Sequence, residues 1–199
     1  MAQDVREPKQ ERSIEKKNKI VKAGFELFSE VGYYQTNTAQ IAKRAGVSTG
    51  IVYGYFKDKR DILLDVLSIY VEHVFDPVLE MIDSLTSPID FRALSSKVLD
   101  IAIATHENNA NIHEALHSMS HSDADVNARF ITLEDDITLK IANKFLALNV
   151  TTDNINERIH FAMDIAQSFS HEYVYDHHTY IDYAKMRDIV EQTLVSLFR

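Results

Sequence analysis

Apolar residues recur at the spacing of an α-helix along most of the chain, starting near its N-terminus. In the first run they fall at i, i+4, i+7, i+8 and i+11. This spacing predicts an amphipathic helix that begins at about Ser13 and ends at Gly32, a residue suited to the position after a helix. The apolar face of this helix consists of Ile20, Gly24, Leu27, Phe28 and Val31.

Two short helices are predicted to follow. Asn37 is placed to cap a helix over residues 38–45, and Gly46 stops that helix after about two turns. Ser48 is placed to cap a third helix over about residues 49–55. Three short helices with no room for a strand between them are typical of a helix-turn-helix module.

The rest of the chain continues the helical pattern. A long helix is predicted from about Lys59, and Pro77 is expected to kink it or break it near Asp76 because proline donates no backbone hydrogen bond. Apolar stripes predict five further helices, over residues 89–106, 112–119, 124–147, 152–175 and 180–198. No segment shows the alternation expected of a half-buried strand.

The sequence therefore predicts an all-α protein of about nine helices in three parts. Residues 1–12 form a flexible charged arm, residues 13–58 a three-helix helix-turn-helix module, and residues 59–199 a larger helical domain. Net charge is −9, but it is unevenly distributed. Residues 1–60 hold 12 lysines and arginines against 7 acidic residues, whereas residues 61–199 hold 9 against 23. The basic N-terminal part is the one suited to approach a polyanion.

Composition excludes several classes of protein. The chain contains no cysteine, which removes disulfides, thiolate metal sites and thiol catalysis. No apolar run approaches the length of about 18 residues that a membrane span needs, and the N-terminus is charged rather than apolar. We expect a cytoplasmic protein that does not enter a membrane.

The helix-turn-helix carries a recognisable motif. The run GYYQTNTAQIAKRAGVSTGIVYGYFKDKRDIL, preceded by IVKAGFELFSEV, resembles the DNA-binding region of the tetracycline-repressor (TetR/AcrR-type) family over about residues 20–63. Shared features are a first helix ending in G-Y, then T-x-x-x-I-A, A-G-V-S, Y-x-Y-F and a following lysine. Two positions depart from the pattern: Thr49, where the family often has lysine, and Gly54, where it often has histidine. Both changes remove potential contacts to DNA.

Residues on the leading edge of the third helix, with polar residues nearby, are the candidates for contacting DNA. Small residues there let the backbone approach the bases, and long polar side chains reach phosphates. The candidates are Thr38, Ser48, Thr49, Gly50, Tyr53, Tyr55, Lys57 and Lys59. Tyr55 and Phe56 have core packing as an alternative role. Further candidates for contacting DNA are the lysines near the N-terminus, Lys9, Lys16, Lys17 and Lys19. Their alternative role is to form a solvated helix face.

The resemblance implies a function as well as a fold. It implies a ligand-responsive transcriptional regulator without enzymatic activity or cofactor, most often a repressor. Such a protein binds a pseudo-palindromic double-stranded DNA operator as a homodimer and is released by a small-molecule effector. A second hypothesis is a helical regulator whose DNA module acts only through a protein partner.

The stretch HEALH at residues 113–117 matches H-E-x-x-H, which on a helix can place two histidines on a zinc ion beside a catalytic glutamate. A zinc hydrolase would use His113 and His117 as ligands and Glu114 as the base. A metal-responsive regulator would use His106, His113, His117 and His121. We favour a partly exposed polar helix face, because no strand-bearing catalytic domain surrounds the motif.

The larger domain is expected to bind the effector and the second subunit. Aromatic and aliphatic residues that could line a ligand pocket, or simply fill the core, are Phe91, Ile101, Met119, Phe130, Leu133, Ile137, Phe161, Phe169 and Tyr173. Stripes on the last two helices predict a four-helix dimer interface, with core packing as the alternative: Ile159, Ala162, Met163, Ala166, Met186, Ile189, Val190 and Leu194. Four acidic residues could favour a cationic ligand: Glu134, Asp135, Asp136 and Asp164.

Overall fold

In the computed structural model, residues 11–199 are described, and they form nine α-helices without a strand. The helices are α1 Glu11–Val31, α2 Thr38–Ala45, α3 Thr49–Tyr53, α4 Lys59–Asp83, α5 Phe91–Asn108, α6 Ala110–Ser120, α7 Ala124–Ala147, α8 Ile155–Tyr175 and α9 Tyr183–Ser196. The predicted all-α class is confirmed for these residues. Most of the predicted arm over 1–12, including Lys9, lies outside the described residues, and Glu11 and Arg12 belong to α1.

The predicted break near Asp76 is wrong, because α4 continues through Pro77 to Asp83. Pro77 lies on the exposed side of the helix. Water can there take the place of the backbone hydrogen bond that proline does not donate. A proline on a solvated helix face therefore leaves the helix continuous.

Residues 11–72 and 109–131 pack into one compact unit. Within it, α1 packs against α2 and α6, and α2 packs against α3. The approach of α1 to the start of α4 is close: a Cβ atom added at Gly24 would lie 2.8 Å from Ile62 Cγ2. Phe28 and Ile62 are fully buried in this unit. The helix-turn-helix is therefore held on a core that α1, α4 and α6 share.

Residues 73–108 and 132–199 form the second compact unit. Here α5 packs against α8 and α9, and α8 packs against α9. Buried residues from these three helices form its core: Leu99, Ala166, Phe169 and Leu194. Both α4 and α7 contribute residues to each unit. No helix in the described part of the chain is long and apolar enough to cross a membrane.

Candidate functional site

The start and end of α2 are fixed by two local signals. The Asn37 side chain accepts a hydrogen bond from the Gln40 backbone (3.0 Å), and the Gln40 side chain accepts one from the Asn37 backbone (2.8 Å). This reciprocal pair satisfies two amides that have no partner within the helix. Gly46 follows the helix in the left-handed region, at φ 68°, which few other residues adopt without strain. The predictions for Asn37 and Gly46 are confirmed.

Helix α3 presents a different set of residues on each side. Ser48 caps it by accepting a hydrogen bond from the Ile51 amide at 3.4 Å, as predicted. Val52 is fully buried and anchors the helix to the module. On the other side Gly50 is exposed and Tyr53 is 43% exposed. Gly50 and Tyr53 therefore face solvent, while the apolar side of α3 holds the helix in place.

No contact within the protein explains why residue 50 is glycine. A Cβ atom added there would meet only the Ser48 hydroxyl, at 4.0 Å, and the φ angle of Gly50 is not in the left-handed region. Neither packing nor backbone geometry requires glycine at this position. Its small size is explained if another molecule approaches the start of α3 closely.

Tyr53 and Thr38 meet at the junction of the two short helices. Their hydroxyl oxygens lie 3.0 Å apart, and Tyr53 ends α3 while Thr38 begins α2. Two of the predicted contact residues are therefore brought together. The Tyr53 ring remains partly exposed beside the first turn of α2.

The two departures from the family pattern lie at opposite ends of α3. Thr49 is its first residue and is half-buried. Gly54 follows its last residue with an ordinary φ of −74°, so the backbone does not require glycine there. A Cβ atom added at Gly54 would lie 3.2 Å from the backbone carbonyl oxygen of Ile51, which is tighter than an ordinary van der Waals contact and disfavours a side chain at this position.

Tyr55 and Phe56 hold the module together from within. The Tyr55 hydroxyl lies 2.8 Å from Ser13 Oγ, which ties the end of the helix-turn-helix to the first turn of α1. Phe56 is 3% exposed, so its interpretation as a core residue is confirmed. Lys17 Nζ lies 5.4 Å from the centre of the Phe56 ring and pairs with Asp65 at 2.6 Å. Tyr55 and Lys17 thus have partners within the protein.

Lys59 and Lys57 have different surroundings. Lys59 Nζ donates to the carbonyl groups of Tyr33 at 2.6 Å and Thr36 at 2.8 Å, and lies 4.1 Å from the Tyr33 ring centre. Burial lowers the pKa of the Lys59 ammonium. Lys59 therefore stabilises the turn between α1 and α2, and one of its three N–H groups remains for another acceptor. The Lys57 side chain is exposed.

The segment 32–57 contains no acidic residue. Its cations are Lys43, Arg44 and Lys57. Arg44 is neutralised by a two-point pair with Glu30, at 2.7 and 2.8 Å, and that hydrogen bonding raises the pKa of its guanidinium. Lys43 and Lys57 are exposed, so a net positive charge remains on this part of the chain. Such a segment suits contact with phosphates.

The HEALH motif is used for packing in α6. His113 is 2% exposed, and its Nδ1 atom lies 2.6 Å from the Tyr70 hydroxyl. Glu114 is exposed, and His121 is exposed at the end of the helix. The expected polar face is therefore wrong for His113. Among the described residues no three His, Asp or Glu side chains are grouped to hold a metal ion, so the arrangement supports neither metal hypothesis.

The second unit contains two apolar pockets. The first, pocket A, has a volume of about 80 Å³ and is bordered by Phe91, Phe145 and Phe198. The second, pocket B, has a volume of about 50 Å³ and is bordered by Thr105, His106 and Gln167. Both are lined by the same four residues, Val78, Val98, Ile141 and Met163, so they adjoin each other.

Most of the predicted pocket residues lie elsewhere. Of the nine, Phe91 lines these pockets. Ile137 and Phe169 are buried away from them, Phe161 is 54% exposed, and Ile101, Leu133 and Tyr173 are half-buried without lining them. Met119 and Phe130 belong to the other unit, where Phe130 packs against His117.

The predicted interface residues divide between core and surface. Ile159, Ala162, Met163 and Leu194 line pocket A, and Ala166 lines pocket B. Met186 and Val190 are half-buried against the core of the unit. Ile189 is 64% exposed on α9, and Phe161 is 54% exposed on α8. These two large apolar residues are exposed, whereas the buried ones are covered within the chain.

Residues 20–66 match the family described as bacterial regulatory proteins, tetR family. The chain is 42% identical over 76 residues to the HTH-type transcriptional regulator HbdR of Aromatoleum sp. (strain CIB), covering 38% of this chain and 33% of that protein. It is 33% identical over 87 residues to the fatty acid metabolism regulator protein of Bacillus subtilis (strain 168), covering 44% and 41%. The matches therefore span less than half the length of these relatives.

The structural similarity to known proteins covers more of the chain than the matched segment 20–66 does. A crystal structure of a tetR-family transcriptional regulator from Mesorhizobium loti superposes with a TM-score of 0.71, covering 94% of this chain and 97% of that one at 17% identity. At this identity the likeness shows a shared fold. Residues 20–66 therefore match the tetR family of bacterial regulatory proteins, and the chain as a whole shares the fold of a tetR-family regulator.

Proposed function

We propose that this protein is a ligand-responsive transcriptional regulator, a repressor that binds a pseudo-palindromic DNA operator as a homodimer. The observation that carries the proposal is the family match over residues 20–66, which falls on a module with an exposed leading edge on α3. The acid-free segment 32–57 agrees with this function, because phosphates repel carboxylates and attract lysines.

Helix α3 enters the major groove, which is about 12 Å wide and admits one helix. Gly50 lets the start of α3 approach the base edges, and Ser48 and Thr49 offer hydroxyl groups there. Phosphates on either side of the groove are contacted by Tyr53, Thr38 and Lys57. These contacts fix the position of the helix but do not distinguish one base sequence from another.

Two copies of the module are needed to read the two halves of an operator. The recognition helices of a dimer lie about 34–36 Å apart, one turn of DNA. Phe161 and Ile189 support an interface made by α8 and α9, because both are large, apolar and exposed. A second copy of the same surface would cover them in an isologous contact.

The effector acts by changing the separation of the two α3 helices. It binds in the second unit, and α4 and α7, which have residues in both units, carry the change to the module. Release of DNA follows because a small change in separation weakens both half-site contacts together. We assign the protein no catalytic activity and place it in the cytoplasm with its operator.

The experiment that tests this function is selection of genomic DNA fragments by the purified full chain, followed by titration of the selected fragment at several salt concentrations. We expect one enriched pseudo-palindrome, bound with an affinity that falls steeply as salt rises. Failure to enrich any fragment at low salt would overturn the proposal. Absence of DNA binding alone, with recovery in a stable complex with another protein, would instead favour the partner-dependent regulator.

A further inference from the structure

Pockets A and B adjoin each other within the second unit, because four residues line both, and the two together are called the space. At one end three aromatic rings pack together: Phe91 and Phe198 are stacked with centroids 5.3 Å apart, and Phe145 meets each of them edge-on. At the other end lie Thr105, His106 and Gln167. The space therefore has an aromatic end and an end with polar groups.

The lining of this space carries no formal charge. None of the residues that line either pocket is aspartate, glutamate, lysine or arginine. The Ser95 hydroxyl donates a hydrogen bond to the Phe91 carbonyl at 2.7 Å, so its hydrogen is already used within the protein. His106 is the titratable residue here, and burial lowers the pKa of its imidazole, which favours the neutral form. A charged ligand would lose its hydration without gaining an opposite charge.

The acidic residues considered from the sequence do not change this conclusion. Asp135, Asp136 and Asp164 are exposed, and neither they nor Glu134 line the space. A cationic ligand would therefore find no carboxylate in the pockets. The face of an aromatic ring can attract a cation. Here the faces of Phe91 and Phe198 are stacked on each other, so these faces are covered.

The volume limits the ligand to a small molecule. The pockets measure about 80 and 50 Å³. An apolar cavity of about 150 Å³ is known to accept a molecule such as benzene. The two pockets together are smaller than that cavity, so they match one molecule with about six carbon atoms, whereas a long acyl chain would require the helices to move apart.

We propose that pockets A and B join to bind one small, uncharged, largely apolar molecule of about six carbons, with its single polar group beside Gln167. That this molecule is the effector rests on the proposed function. The amide of Gln167 can both donate to and accept from a hydroxyl group, so an alcohol is recognised at that end. The apolar remainder is held by the shared wall of Val98, Ile141 and Met163.

The test compares 1-hexanol, hexanoate and hexyltrimethylammonium, which share a chain and differ in charge. Binding to the full chain is measured by calorimetry and by thermal unfolding. At ten times its Kd, 1-hexanol should raise Tm by roughly 3–6 °C, and the two ions should bind at least tenfold more weakly. Equal or tighter binding of either ion, or no binding of 1-hexanol, would overturn the proposal.

Matched variants on α5 locate the site. Ala102 lines pocket B, whereas Ala104 is exposed two residues further along. Ala102→Leu should abolish the 1-hexanol response, and Ala104→Leu should keep it; a full response in Ala102→Leu would place the ligand elsewhere. If circular dichroism shows that Ala102→Leu is unfolded, Ala162→Leu in pocket A replaces it. DNA binding is measured separately, so a chain that binds 1-hexanol but selects no DNA overturns only the proposed function.

Discussion

The hydroxyl groups of Tyr53 and Thr38 lie 3.0 Å apart, so the end of α3 is tied to the start of α2 at the surface of the module. The contact holds the side chain of Tyr53, which is 43% exposed, in one direction. A side chain held in place loses less conformational freedom when it binds a partner. When Thr38 is the donor in this pair, the Tyr53 hydroxyl keeps its own hydrogen for the hydrogen bond that we propose it donates to a phosphate.

Replacing Tyr53 with alanine should weaken DNA binding by roughly tenfold or more, because a charge-assisted hydrogen bond is lost. The fold should be unaffected, since the ring is largely outside the core. Fluorescence anisotropy with the selected fragment measures the affinity, and thermal unfolding measures stability. Tyr180→Ala, at an 80% exposed tyrosine in the second unit, is the matched control. Unchanged affinity in Tyr53→Ala would refute the contact.

Gly50→Ala separates a structural role of glycine from a role in binding. Nothing within the protein lies closer than 4.0 Å to the added methyl group, so we expect stability to be unchanged or raised by up to about 1 kcal/mol. DNA affinity should fall about tenfold, because the methyl group keeps α3 from the base edges.

Gly24→Ala is the contrasting control for this prediction. Its added Cβ would lie 2.8 Å from Ile62 Cγ2, so it should cost roughly 1–3 kcal/mol of stability. Chemical denaturation of both variants checks the pair. Full DNA affinity in Gly50→Ala would show that the groove does not approach this position.

Lys57 and Lys59 should respond differently to replacement by methionine. Lys57→Met should leave Tm unchanged, weaken DNA binding and lower the slope of log K against log salt by about 1, as expected of one lost phosphate contact. Lys59→Met leaves two carbonyl groups without their charged donor. It should destabilise the fold by roughly 1–3 kcal/mol and lower Tm by several degrees. A Lys59→Met variant that keeps its stability but binds DNA more weakly would show that Lys59 contacts DNA and does not stabilise the fold.

Local signals in the sequence were sufficient to place the helix-turn-helix. Asn37, Gly46 and Ser48 act through hydrogen bonds and backbone angles within a few residues, so their roles could be predicted without the tertiary structure. Lys59 shows the limit of such reasoning. Its long side chain suggested a phosphate contact, but the carbonyl groups it binds belong to residues 33 and 36, which the chain brings near only on folding.

The pocket and the interface were harder to predict for a related reason. An apolar stripe on a helix indicates that the stripe is buried, but not what covers it. Ile159 and Leu194 were expected to meet a second subunit, yet they line pocket A within one chain. His113 likewise has the spacing of a metal ligand, and the packing of α6 directs it to Tyr70 instead. Sequence periodicity cannot distinguish between these partners.

The ion pair between Arg60 and Asp123 should make stability depend on pH. Arg60 donates two hydrogen bonds to Asp123, at 2.5 and 2.7 Å, joining the start of α4 to the start of α7. This hydrogen bonding lowers the pKa of Asp123 from 3.8 to about 2. Because the carboxyl is more acidic in the folded protein than in the unfolded chain, its stabilising contribution is fully present above about pH 4. It is lost as pH falls from 4 towards 2.

Asp123→Asn provides the measurement, since asparagine can still cap α7 but cannot pair with Arg60. Urea denaturation should show the wild type more stable than Asp123→Asn at pH 6, with the difference shrinking as pH falls below 4. Asp188→Asn, at an exposed aspartate on α9, should show no such convergence. If the difference between the wild type and Asp123→Asn is the same at pH 6 and pH 3, the ion pair does not contribute to folding. Asp123 would then act only as a helix cap.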